Sequence, residues 1–165
     1  MSDEAIILLA EDRDDDIALI KRAFQQACLS NPIYVVKDGE QAIEYLRGNG
    51  PFANREEFPL PDLLLLDLKM PRCDGFEVLQ WIRNEPGLSS LRVIVLTSSI
   101  SMADVNRAYQ LGANSFLVKP LEFEQFVEVS KNFTRYWLNL DKRPTVSRLS
   151  GVAKKTVRVE EEKRD

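Results

Sequence analysis

The chain contains no histidine. That removes imidazole as a general base, as a metal ligand and as a phosphohistidine carrier. It has only two cysteines, Cys28 in a helical pattern and Cys73 in a loop. Two thiols so placed make no disulfide framework, and they lead us to expect a cytoplasmic protein. No apolar stretch approaches the length of a bilayer span, and the first residues lack the basic and apolar regions of a signal peptide. Positive charge is scarce outside the C-terminal end. Residues 141–165 hold 8 Lys/Arg against 5 Asp/Glu, whereas the first 140 residues hold 14 against 21. An acidic body does not suit nucleic acid as a main partner.

What is present is a core for one domain. The chain has 165 residues, 44% of them hydrophobic. Leu63 to Leu66 are four consecutive leucines ending in Asp67, behind Pro59-Leu60-Pro61-Asp62. Such a run reads as a strand buried on both faces, the kind found inside a parallel sheet. Ala5 to Ala10 form a similar run that ends in Glu11-Asp12. Further strands are expected at roughly 33–37, 92–97 and 115–118. Apolar residues at three- and four-residue spacing lie between them: Ile17, Ile20, Phe24 and Ala27; Ile43 and Leu46; Phe76, Leu79 and Ile82; Met102, Val105 and Ala108; and Phe123 to Trp137. This alternation predicts an α/β fold, a doubly wound five-stranded parallel sheet with helices on both faces.

Local chemistry marks the boundaries. Asp14-Asp15-Asp16 offers a helix N-cap and first-turn negative charge, and Asp74-Gly75 starts a helix in the same way. Gly112 suits a left-handed position after a helix. Residues 48–61 form a long connection rich in turn formers, whose Phe52 and Phe58 are expected to pack on the body. The domain is expected to cover 4–140. Residues 141–165, with little apolar periodicity, read as a mobile tail too short for a DNA-binding domain.

Four strand ends carry chemical groups: Glu11-Asp12, Asp67, Thr97-Ser98-Ser99 and Lys119-Pro120, with Leu68-Lys69-Met70-Pro71 following Asp67. Open α/β sheets bind ligands at this edge. In type, order and place these elements resemble the receiver domain of two-component response regulators, a flavodoxin-like (βα)5 fold. The resemblance implies that Asp67 is the phosphoacceptor and that Glu11, Asp12, Asp67 and the backbone carbonyl of Lys69 hold Mg2+. It further implies that Thr97 and Lys119 contact the phosphoryl group and that Phe116 is the aromatic switch. Lys69 and Ser99 match positions that influence the lifetime of the aspartyl phosphate. The family often has a cis bond where Lys119-Pro120 stands. Oxygen ligands suit magnesium, and charge stabilisation dominates phosphoryl transfer.

The long 48–61 loop, Asp-Leu-Lys-Met-Pro and Phe-Thr-Arg-Tyr-Trp-Leu resemble stand-alone bacterial receivers associated with phytochrome kinases. The implied partners are a sensor histidine kinase of that kind, or a phosphotransfer protein, and a downstream protein target. A homodimer through the face of helix 4, strand 5 and helix 5 is also implied, and neither DNA nor membrane binding. The chain would not be an enzyme beyond its own phosphoryl transfer and autodephosphorylation. Two alternatives remain at this point. One is a phosphorylation-independent interaction module of the same fold. The other is a phosphatase of the haloacid-dehalogenase kind, disfavoured because Lys69 stands where those enzymes place a second Asp.

Overall fold

In the computed structural model, residues 4–133 are described. The end of the Phe123-to-Trp137 stripe, most of the Phe-Thr-Arg-Tyr-Trp-Leu segment and the tail lie outside the described residues. Five strands alternate with five helices: β1 (Ile7–Ala10), α1 (Asp14–Gln26), β2 (Ile33–Val36), α2 (Gly39–Arg47), β3 (Leu63–Leu66), α3 (Gly75–Asn84), β4 (Arg92–Thr97), α4 (Met102–Gln110), β5 (Ser115–Val118) and α5 (Phe123–Phe133). All strand pairs are parallel, in the order β2-β1-β3-β4-β5. The sheet is the one expected from the sequence.

The leucine run explains the layering. Successive side chains of a strand point to opposite faces. Leu64 and Leu66 join Leu8, Ala10, Val93 and Val95 under α2 and α3. Leu63 and Leu65 join Ile7, Leu9, Ile94 and Leu96 under α1 and α5. All four leucines are buried, so each contributes about 1.5–3 kcal/mol of transfer free energy. A polar residue anywhere in β3 would face a helix layer, which is why the strand does not alternate.

Helix starts follow local chemistry with one correction. Asp74 caps α3: its Oδ1 accepts from the Glu77 amide at 2.9 Å, and the Asp74 amide donates to Glu77 Oε1 at 2.9 Å. This reciprocal capping box satisfies two otherwise orphaned donors. The aspartates of α1 do not cap it. Arg13 occupies that position with no side-chain bond, and Asp14, Asp15 and Asp16 form the first turn. Asp14 and Asp16 are instead drawn to Lys37 and Lys119. Gly112 follows α4 with φ +104°, the left-handed geometry expected of it.

The 48–61 connection is packed rather than loose. Phe52 and Phe58 meet edge-on at 5.3 Å and both contact Tyr45 of α2. Arg55 donates to the carbonyls of Tyr45, Leu46 and Phe58, and Tyr45 Oη donates to Pro59 O at 2.9 Å. The buried side chains of α2 are accordingly Ala42, Tyr45 and Leu46, while Ile43 of the expected stripe is only half-buried.

Candidate functional site

The parallel register sets the site. Ala10 pairs with Leu66, Leu66 with Val95, and Thr97 with Val118. The next residues therefore emerge side by side at the carboxyl edge of the sheet. The Asp67 amide donates to Ala10 O at 3.1 Å, and the Lys119 amide to Thr97 O at 2.8 Å. The strand order reverses between β1 and β3, the switch point where such sheets bind ligands. Gly75 lets α3 close on this edge: a Cβ there would lie 2.4 Å from Asp67 O.

Glu11 and Asp67 are buried, and Asp12 is the more open of the three acids. Carboxylate oxygens of Glu11, Asp12 and Asp67 lie within 4.8 Å of one another. Lys119 Nζ reaches Glu11 Oε1 at 2.5 Å, Asp16 Oδ2 at 2.9 Å and Asp67 Oδ2 at 3.4 Å. Burial pushes the Glu11 carboxyl up to about 7; its bond to Lys119 opposes this, and the Asp67 charge adds to it. Burial works to lower the Lys119 ammonium, but its bonds to Glu11 and Asp16 and the charge of Asp67 hold it above its ordinary value. Acids crowded with one cation in a buried pocket are an arrangement that folding alone does not favour.

Thr97 is buried at the end of β4. Its Oγ1 accepts from the Ser99 amide at 3.4 Å, and Ser99 Oγ donates to Asp104 Oδ2 at 2.6 Å. The β4–α4 connection is thus tied to the first turn of α4, where Ser101 Oγ accepts from the Asp104 amide at 3.3 Å. Phe116 is half-buried in β5 and packs on the α2–α3 side of the core. The Lys69 side chain is exposed. The Lys119-Pro120 bond is trans, unlike the cis form that the resemblance often carries.

A family model for the response regulator receiver domain matches residues 7–131. The chain belongs to the response regulator receiver family. This receiver is 39% identical over 145 residues to the probable methanogenesis regulatory protein FilR2 of Methanothrix harundinacea, covering 86% of this chain and 89% of FilR2. It is 33% identical to the response regulator Rcp1 of Synechocystis, covering 84% of this chain and 95% of Rcp1. Among solved structures, a response regulator in red light signaling of R. palustris superposes with a TM-score of 0.82 at 37% identity, over 86% of this chain and 99% of that one. The phosphorylated cyanobacterial phytochrome response regulator RcpA gives 0.74 at 34% identity, over 83% and 99%. The Mn2+-bound form of Rcp1 gives 0.75 at 31% identity, over 85% and 99%.

The receiver brings together Glu11, Asp12, Asp67 and Lys119, and sets Thr97 on the neighbouring strand. Sequence reasoning missed Asp16 as a partner of Lys119. Asp16 stands in the first turn of α1, where an aspartate already has a local explanation. The Asp38–Arg72 pair beside the site was missed as well, and no spacing in the sequence announces it.

Proposed function

We propose that this receiver takes a phosphoryl group from a phosphohistidine onto Asp67 and signals through protein contact. An Asp67 carboxylate oxygen forms the new bond to phosphorus, the donor's phosphorus–nitrogen bond breaks, and its electron pair leaves with the imidazole. The observation that carries this is the cluster of Glu11, Asp12 and Asp67 against Lys119 at the switch point. An all-oxygen donor set fits a hard divalent cation, and Mg2+ would be held by Glu11, Asp12, Asp67 and the Lys69 carbonyl. Such an ion supplies charge that offsets repulsion between carboxylate and phosphoryl oxygens. Lys119 and the Thr97 hydroxyl serve the phosphoryl oxygens, and the chain's catalysis is confined to gaining and losing that group.

The phosphorylated state of RcpA and the Mn2+-bound form of Rcp1 support this reading by similarity. Kinships with phytochrome response regulators favour a phytochrome-type histidine kinase, or a phosphotransfer protein, as donor. For output, Thr97 drawn to the phosphoryl group leaves space for Phe116, which shifts the α4–β5–α5 face. That surface exposes Met102, Tyr109, Val118 and Leu121, which suits a downstream protein or a second copy of the chain. The domain would extend to 140, with 141–165 an appended tail. Membership of the receiver family removes the haloacid-dehalogenase alternative.

Incubation with Mg2+ and acetyl phosphate tests the reading. The expected product is an acid-stable, base-labile adduct on Asp67 that Asp67→Asn abolishes. No adduct on the parent chain would favour the phosphorylation-independent module.

A further inference from the structure

Asp16 has a second partner beyond its own helix turn. Its Oδ2 lies 2.9 Å from Lys119 Nζ, nearer than the 3.4 Å that separates Lys119 from Asp67. Arg13 Nε approaches the same Asp16 oxygen at 3.5 Å. The Lys119 side chain is 9% exposed and that of Asp16 is 26% exposed, so this contact forms at the pocket wall, partly out of bulk water.

We propose that Asp16 is a positioning residue that holds Lys119 against α1 and thereby keeps Asp67 available. An ammonium has three N–H donors. Here they face Glu11, Asp16 and Asp67, and the Asp67 contact is the longest. The donor facing Asp67 is therefore the one least committed. It can turn to a phosphoryl oxygen while Glu11 and Asp16 keep the other two. Without Asp16, the ammonium is shared by Glu11 and Asp67 alone and moves onto the Asp67 carboxylate. That carboxylate is then more tightly paired before any cation or phosphoryl group arrives. The inference rests on the reading of Asp67 as phosphoacceptor, and it adds the residue that governs where Lys119 sits.

The test is Asp16→Asn in two backgrounds, the parent chain and Lys119→Met. Mn2+ binding is read by calorimetry and phosphorylation by acetyl phosphate uptake with Mg2+. In the parent, Asp16→Asn is expected to weaken Mn2+ binding roughly threefold to tenfold and to slow uptake similarly. Asp16→Glu, which keeps the carboxylate, restores part of both. In the Lys119→Met background Asp16→Asn changes Mn2+ binding by less than about twofold, because residues acting through one contact are not additive. Asp15→Asn, an exposed neighbour in the same turn, has little effect. Equal losses in both backgrounds, an equal loss in Asp15→Asn, or unfolding of Asp16→Asn in both backgrounds would overturn the proposal. A parent chain that binds Mn2+ but accepts no phosphoryl group would instead defeat the reading of Asp67, while the binding arm still decides on Asp16.

Discussion

Glu11 and Asp38 stand at the same edge, just beyond the paired strands β1 and β2, and both are almost fully buried, at 1% and 2% exposure. Their surroundings differ. Asp38 Oδ1 accepts from the Gln41 amide at 2.8 Å and so caps α2. Its Oδ2 accepts from Arg72 Nη2 at 2.8 Å and Nε at 3.0 Å. Burial works to raise the Asp38 carboxyl, yet the α2 amide and Arg72 outweigh it and hold the group below its ordinary value. Burial pushes Glu11 up to about 7; the Arg13 amide and Lys119, which Glu11 shares with Asp16 and Asp67, oppose this without overcoming it. Burial alone does not separate a structural acid from a functional one. What separates them is whether the donors around each acid are its own or are divided among several.

The sharpest way to break this comparison is to remove the shared cation. Lys119→Met leaves Glu11 and Asp67 buried without their counter-charge. The metal-free protein is expected to lose about 3–5 kcal/mol at a pH above the Glu11 range. Saturating Mg2+ should recover most of that in thermal melts, because it is a second source of positive charge for the same acids. A loss that Mg2+ leaves untouched would mean that the acids are arranged for folding alone.

Asp38→Ala is expected to behave in the opposite manner. Loss of the cap costs about 1–2 kcal/mol, and Mg2+ recovers none of it. Asp38→Asn keeps the capping oxygen and so most of the stability. The pH dependence has a definite sign. The Asp38 carboxyl lies below its ordinary 3.8 in the folded chain. Its stabilisation is therefore complete above that value and is lost as pH falls through the folded value. Urea unfolding of parent and Asp38→Ala should converge as the pH drops from about 5 to about 2. Curves that stay parallel would show that the Asp38 charge adds nothing to the cap.

The comparison also shows how far the sequence could be read. Leu63 to Leu66 and the run before Glu11 announced strands buried on both faces because helices cover both sides of the sheet. Glu11, Asp12, Asp67, Thr97 and Lys119 were legible because each stands at a strand end, and parallel register does the rest. Asp16 was not, because an aspartate in a first helical turn already has a sufficient local explanation. Asp38 and Arg72 were not, because their pairing spans 34 residues and depends on the turn at Arg72, where φ is +67°. Local chemistry is readable from spacing; a contact made by two loops requires the fold. The cap expected from the Asp14-Asp15-Asp16 run failed because the helix begins one residue earlier than a cap there requires: Arg13 holds the cap position and all three aspartates fall in the first turn.

The smallest expected effect concerns Asp12. Its carboxylate lies within 4.8 Å of ligand oxygens on Glu11 and Asp67, so it adds like charge to an acid cluster. Asp12→Ala should therefore stabilise the metal-free fold. Asp12 is the most open of the three, so solvent and salt weaken the repulsion and the gain is only about 0.5 kcal/mol. Three readouts give the effect a signature. The melting temperature rises without metal, the rise shrinks as salt is added, and Mg2+ no longer stabilises the variant as it does the parent. A metal-free variant that melts lower than the parent would place Asp12 with Asp38, as an acid that serves the start of a helix. Charge repulsion within the cluster would then have to be sought in Glu11 and Asp67 alone.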